Sequence, residues 1–352
     1  MNKYLILENG MTFKGEGFGA PGDVTAEIVF TTAMTGYLET LTDKSYAGQA
    51  IVQTFPLIGN YGIIPEDVES NMIGTSAYIV REWCDHPSNF RCTRDLDTYL
   101  KSRGIVGLCK IDTRALTRVL REHGTMNGLI TESPLNADLD LIKAYKCNDP
   151  VSLVSTKKMY VEGNGKYKIA LLDFGMKENI CRCLTKRDCT VYVFPSSTSV
   201  EELLSVNPDG IFLSNGPGDP SDNVDIIENV KKLIMLKKPM MGICLGHQLL
   251  ALAHGFSTTK LKYGHRGANQ PVKHLESGRT YISSQNHGYA VVNESIDVNV
   301  AKPLFINVND NTNEGLIYIN EPCFSVQFHP EACAGPKDTS FLFDNFIRLI
   351  SY

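Results

Sequence analysis

No apolar run in this sequence approaches the ~18 residues of a membrane span. The apolar stretch ahead of Glu8 is too short for the core of a signal peptide. A soluble, cytoplasmic protein is expected. A basic surplus is also missing: 34 Lys and Arg stand against 39 Asp and Glu, a formal net charge of −5. Dedicated nucleic-acid binders carry the opposite balance. The pairs Lys157-Lys158, Lys231-Lys232 and Lys237-Lys238 are short and scattered, as on solvated faces. Neither nucleic acid nor a membrane is expected as a partner. The 10 cysteines contain no C-x-x-C, and reduced thiols fit a chain with no secretory leader. Cys181, Cys183 and Cys189 cluster on a helical pattern with Ile180 and Leu184, so they read as core thiols and no metal site is expected. No loop ends in Gly-Lys-[Ser/Thr], and no G-x-G-x-x-G follows the first strand, so nucleotide-binding loops are absent. Internal repeats and low-complexity tracts are absent too.

What is present suits two ordinary cores. Hydrophobic residues make up 43% and charged residues 21%, which excludes a mainly disordered chain. At about 150 residues per domain, 352 residues make about two domains. The polar, glycine-containing stretch 155–166 is the best boundary. The expected division is a domain at 1–150, a linker at 151–167 and a domain at 168–352.

The first half opens on a hairpin. Strand-like residues 4–8 and 11–14 flank Asn9-Gly10, a pair suited to a type I′ turn. Further strands are expected at 27–32, 50–54 and 77–81. Helices are expected at 96–103 and at 113–123, the latter with Leu116, Val119 and Leu120 on one face. Another helix is expected from Ser133 as cap with Pro134 in its first turn. This half is strand-rich α+β and nearly silent in chemistry.

The second half alternates. Strands at 168–172, 190–194, 210–213 and 240–243 are separated by helical patterns at 178–186, 200–204, 224–236 and 248–253. Parallel strands need such crossovers, so an open, doubly wound, mostly parallel α/β sheet is expected, with function in the loops at the strand carboxyl ends. After Gly255 come glycine- and turn-rich strands, and a last helix spans 339–350.

Three segments carry chemistry. Gly242-Ile243-Cys244-Leu245-Gly246 places a cysteine between a strand and a helix, a thiol version of a nucleophile elbow. Its turn aims a helix amino terminus at the sulfur, which favours thiolate. Near the carboxyl end, His329-Pro330-Glu331 places an imidazole and a carboxylate on one face of an extended segment. Glu331 can hold one ring nitrogen and leave the other for Cys244. His247 is the rival base, but a helix turns it away from the elbow. The third segment, Ser214-Asn215-Gly216-Pro217-Gly218-Asp219-Pro220, follows a strand. Its rigid backbone can offer N–H groups to an oxyanion or a carboxylate.

Together with Gln248, these segments resemble the class I, Cys–His–Glu type glutamine amidotransferases. Thr35-Gly36-Tyr37, Asp43-Lys44-Ser45-Tyr46, Gly59-Asn60-Tyr61-Gly62 and the stretch from Gly107 to Arg118 resemble the amino-terminal domain of the small, glutamine-hydrolysing chain of carbamoyl-phosphate synthase. The resemblance covers nearly the whole chain, and the two halves in this order are more specific than the elbow alone.

The resemblance implies a triad of Cys244, His329 and Glu331. It implies glutamine held by Ser45, Gly216, Gly218, Leu245 and Gln248, and by Asn286, Gly288 and Tyr289 of the segment that includes His287. Gly216 and Leu245 would supply the oxyanion N–H groups. Tyr289 stands where the family usually has Phe, a change of little weight if the contact is through the backbone. Cys333, just beyond the triad glutamate, receives no role. The implied reaction is hydrolysis of glutamine through a thioester, with ammonia passing to a large chain in a hetero-oligomer. That chain would make carbamoyl phosphate, with ATP and magnesium bound there and no cofactor here. Arginine synthesis, pyrimidine synthesis or both would use the product. Two alternatives stand beside this reading: a self-sufficient cysteine hydrolase of another γ-glutamyl compound, and a non-catalytic binding subunit.

Overall fold

The opening hairpin forms, with strand Asn2–Leu7 antiparallel to Thr12–Gly19. Its turn differs from the type I′ expectation. Only Gly10 of the Asn-Gly pair has positive φ, at 85°. Gly10 N–H donates to the Leu7 carbonyl and Leu7 N–H to the Met11 carbonyl. The loop is therefore longer by a residue, and one left-handed glycine suffices to close it.

This computed structural model describes residues 2–332 and 334–351. It divides into two compact units, Met1–Asn148 and Asp149–Tyr352. In the first, seven strands close a barrel: Asn2–Leu7, Thr12–Gly19, Val106–Cys109, Ala77–Ile79, Gln49–Gln53, Val24–Thr31 and Met126–Thr131, which pairs back to the first. Closure removes unpaired edges. Gly128 marks how tightly the barrel is filled. A Cβ there would come 2.9 Å from both the Leu5 and Ile28 side chains. Residues of opposite parity, including Val29, Ile51 and Tyr78, pack against Leu38 and Leu41 of helix Tyr37–Leu41 and Leu96 and Leu100 of helix Leu96–Ser102. Helix Thr113–His123 is bounded as the sequence predicts, with Asp112 Oδ1 accepting from Ala115 N–H and Gly124 at its end. Ser133 does not cap a helix. It precedes a 3₁₀ turn, Pro134–Asn136, and the α-helix Leu139–Ala144 begins at Asp138, whose carboxylate accepts from two of its free N–H groups.

The expected linker 151–167 is instead part of the second unit. Helix Pro150–Val154 is capped by Asp149, and Tyr160–Glu162 pairs antiparallel with strand Cys189–Pro195. Its polarity is that of an edge strand. The sheet has ten strands. Five run parallel, in the order Cys189–Pro195, Tyr167–Asp173, Gly210–Leu213, Met240–Ile243 and Cys323–Val326. The rest continue antiparallel through Asn313–Tyr318, Ala301–Asn307, Thr258–His274 and Thr280–Val291. Alternation along the buried strands separates two cores. Ala170, Leu172, Ile211, Leu213 and Met240 face one side, with helices Val224–Met235 and Leu245–Ala253. Ile169, Leu171, Phe212, Met241 and Ile243 face the other, with helices Glu178–Thr185 and Phe341–Ser351. The chain order reverses between strands Tyr167–Asp173 and Gly210–Leu213, the switch point at which such sheets open a crevice beyond their carboxyl ends.

Candidate active site

The elbow is built by two glycines. A Cβ on Gly246 would lie 2.3 Å from the Leu213 carbonyl oxygen, and one on Gly242 would lie 2.8 Å from the Gly246 carbonyl. With neither present, strand and helix close on each other and the residue between them is forced out of the common regions. Cys244 has φ 53° and ψ −105°, a strained conformation costing on the order of 1–3 kcal/mol. Hydrogen bonds hold it there. Cys244 N–H donates to the Val326 carbonyl at 2.9 Å, Gly246 N–H to the Ser214 carbonyl at 3.0 Å, and Gln248 N–H to the Cys244 carbonyl at 3.1 Å. Cys244 is the amino-terminal cap of helix Leu245–Ala253, so the sulfur lies at the positive end of its dipole. The thiol also donates to the Asn286 carbonyl at 3.7 Å.

His329 and Glu331 meet as expected, by a different backbone route. His329 sits in an isolated bridge to Ser284, and Ala332 N–H returns to the His329 carbonyl. A turn, rather than extended alternation, brings the Glu331 carboxylate to His329, with Nδ1 2.6 Å from Oε1. Both side chains are fully buried. Nε2 makes no complete hydrogen bond, and Cys244 is the other side chain whose hydrogen-bonding capacity acts on the ring. Burial disfavours the imidazolium, and the Lys177 ammonium adds to that. The Glu331 carboxylate and the Cys244 thiol outweigh both, and the His329 pKa is pushed up to about 9. Burial favours the neutral Glu331 acid, but His329 and then Lys177, 3.9 Å away, hold its pKa below the usual value. The pair therefore carries a proton on the imidazole at neutral pH.

His247 does not compete. It is wholly buried on its helix, with Nδ1 2.8 Å from Ser325 Oγ. Burial takes its pKa down to about 3, so it stays neutral.

The glycine-proline loop adjoins the elbow. A Cβ on Gly216 would collide with the Phe174 carbonyl oxygen at 2.4 Å and the Leu245 side chain at 2.8 Å. Gly218 has φ +91° and packs on Pro150. The sequence reading missed the loop that braces it. Asp173 Oδ1 accepts from Gly175 and Met176 N–H, Ser214 Oγ from Phe174 N–H, and Asn215 Oδ1 from Lys177 N–H. The signal was its position after a buried parallel strand, beside the other loops at the strand carboxyl ends.

Segment 286–289 closes around Gln248. Gln248 Nε2 donates to the Tyr289 carbonyl at 2.8 Å and to Gln327 Oε1 at 2.9 Å. Tyr289 thus engages Gln248 through its backbone. Gly288 lies against Arg266, whose guanidinium would stand 3.3 Å from an added Cβ. Ser45 belongs to the first unit, in the 3₁₀ turn Lys44–Tyr46, where Asp43 Oδ1 accepts its N–H at 2.9 Å. Cys333 lies outside the described residues. Among the described residues, one group has metal-ligating side chains gathered together. His265, His287 and Glu314 bring ligand atoms within 4.8 Å of one another.

The sequence matches two family models. "Carbamoyl-phosphate synthase small chain, CPSase domain" covers residues 5–130, and "Glutamine amidotransferase class-I" covers residues 170–349. A carbamoyl phosphate synthase small chain of Clostridium perfringens is 51% identical over 351 residues, 99% of each chain. That of Bacillus cereus is 51% identical over 354 residues, 99% of this chain and 96% of the other. That of Caldanaerobacter subterraneus is 50% identical over 352 residues, 99% and 97%. With both domains in this order and half of all residues shared from end to end, the chain belongs to the carbamoyl phosphate synthase small chain family.

Proposed function

We propose that this chain is the glutaminase subunit of a carbamoyl phosphate synthase and delivers ammonia from glutamine to a large chain. The observation that carries the reading is the strained Cys244 at a helix amino terminus beside the buried His329–Glu331 pair. Cys244 and His329 share one proton, held on the imidazole, and the Cys244 thiolate attacks the side-chain amide carbon of glutamine, forming a C–S bond and a tetrahedral oxyanion. The Gly216 and Leu245 N–H groups receive that oxygen. The imidazolium of His329 gives its proton to the amide nitrogen, the C–N bond breaks and ammonia leaves. His329, now neutral, takes a proton from water as the water oxygen bonds to the thioester carbon. The C–S bond breaks, glutamate leaves after its new carboxyl gives its proton to solvent, and the Cys244 thiolate stands again beside the His329 imidazolium. Glu331 orients the ring throughout and stabilises its charged form.

Ser45, Gly216, Gly218, Leu245, Gln248, Asn286, Gly288 and Tyr289 hold the substrate. The backbone carbonyl of Tyr289 is held by Gln248. The large chain binds ATP and magnesium and makes carbamoyl phosphate from the ammonia and bicarbonate, in the cytoplasm. The first unit docks that chain and completes the glutamine site. Glutamate release by the purified chain, with and without the co-purified large chain, tests the reading. Glutamine-dependent carbamoyl phosphate synthesis by the pair supports it. Full turnover of another γ-glutamyl compound, with glutamine untouched, would replace it with the self-sufficient hydrolase.

A further inference from the structure

Segment 286–289 rests on polar groups that the triad does not use. Strands Thr258–His274 and Thr280–Val291 pair His265 directly with His287, and a register shift precedes His265. The two rings meet edge to face with centroids 4.9 Å apart. His265 is held at both nitrogens by carboxylates: Nε2 is 2.8 Å from Asp310 Oδ2 and Nδ1 is 3.4 Å from Glu314 Oε1. Glu314 is fully buried on strand Asn313–Tyr318, beyond the intervening strand Ala301–Asn307, and its Oε1 also accepts from Asn307 Nδ2 at 3.1 Å. His287 Nδ1 lies 2.7 Å from the Tyr289 carbonyl. That carbonyl is the one Gln248 holds from the elbow helix.

We infer that the Glu314–His265–His287 array is a positioning device for the glutamine-binding segment: two carboxylates clamp His265 against His287, and His287 fixes the Tyr289 carbonyl that Gln248 shares. This rests on the glutaminase reading of the site. A carbonyl only accepts, so the Nδ1 of His287 must carry a proton. Burial keeps the His287 ring neutral, and the neighbouring His265 and Arg266 charges reinforce this against the pull of the Tyr289 carbonyl. The ring then has one N–H; Nδ1 faces the Tyr289 carbonyl at 2.7 Å and Nε2 faces Gln285 Oε1, also an acceptor, at 3.1 Å, and the shorter contact takes the proton. With the tautomer set, the carbonyl has two fixed donors. Asn286, whose carbonyl receives the Cys244 thiol, is then held in register at the other end of the segment. The array makes its hydrogen bonds and ion pairs with Asp310, Asn307, Gln285 and the Tyr289 carbonyl, so the device acts on substrate placement.

The test uses the purified full-length chain and the variants His265→Asn and Glu314→Gln. Glu314→Gln keeps the buried shape where a truncation would not. Glutamate release should show KM for glutamine raised about twofold to twelvefold, the range of one lost hydrogen bond, with kcat changed less than about twofold. Nitrogen-15 spectra of histidine-labelled protein should show His287 as the Nδ1–H tautomer in the wild type and as a mixture in both variants. Unchanged KM in two folded variants overturns the proposal, as does a fall in kcat without a KM effect. Stoichiometric zinc or manganese in the wild-type chain, with KM restored and lost as the metal is added and chelated, also overturns it, because the array would then be a metal site. A wild-type chain that leaves glutamine untouched sinks the glutaminase reading instead, and the array then stands or falls on the nitrogen spectra.

Discussion

Glu331→Gln tests the charge that keeps the proton on His329. The Nδ1–Oε1 contact of 2.6 Å joins two fully buried side chains. A hydrogen bond to a charged partner contributes about 1.5–3 kcal/mol, and about 1.4 kcal/mol corresponds to one pH unit. The amide keeps the shape and loses the charge, so the His329 pKa should fall from about 9 by roughly one to two pH units. Protonated His329 is the acid for the leaving ammonia, so activity is present below its pKa and is lost as pH rises through it. The alkaline limb of kcat/KM for glutamine should lie near pH 9 in the wild type and move towards about pH 7–8 in the variant. Stability follows the same sign. The contribution of a raised histidine pKa is complete below about pH 6.5 and is lost as pH rises through about 9. The difference in Tm between wild type and variant should therefore narrow above pH 9. An alkaline limb left in place in a folded Glu331→Gln protein would refute the assignment of that proton.

Cys244→Ala should abolish glutamine hydrolysis while ammonia-dependent carbamoyl phosphate synthesis by the complex continues, since free ammonia bypasses this site. Near wild-type glutamate release by that variant would remove Cys244 as nucleophile. His329→Asn should cost roughly 10²–10⁴-fold in kcat, and His247→Asn far less, because His247 stays neutral on Ser325. The reverse order in two folded variants would mean that the wrong histidine was chosen. Ser45→Ala should raise KM for glutamine about twofold to twelvefold with little change in kcat. An unchanged KM would confine Ser45 to its turn beside Asp43.

Local pattern was enough for much of the second unit. Strand Met240–Ile243 and helix Val200–Leu204 have the predicted bounds, because a short apolar run between amphipathic stretches has few other ways to bury itself. The elbow was legible for the same reason. Its requirements, glycines on both sides of a cysteine, lie within five consecutive residues. His329 and Glu331 were legible as residue types at a short spacing, and the turn that joins them was not. The barrel was not legible either. Its parallel pairs, such as Val24–Thr31 with Gln49–Gln53, depend on long-range register that no local window contains. Segment 151–167 shows the limit of composition: its polar residues suit a linker and an edge strand equally, and only pairing with Cys189–Pro195 decides between them.

The sequence by itself determined which side chains could do the chemistry, a thiol on a forced turn, an imidazole with a carboxylate and a rigid N–H loop, since each depends on neighbours along the chain. The tertiary structure alone decided which of these groups meet. It brought Cys244 to the Asn286 carbonyl, Gln248 to Tyr289, and Glu314 to His265 beneath them. Those contacts are set by the order and register of strands in one sheet, and that order is a property of the packed whole: each strand finds its neighbour by the apolar surface both of them bury.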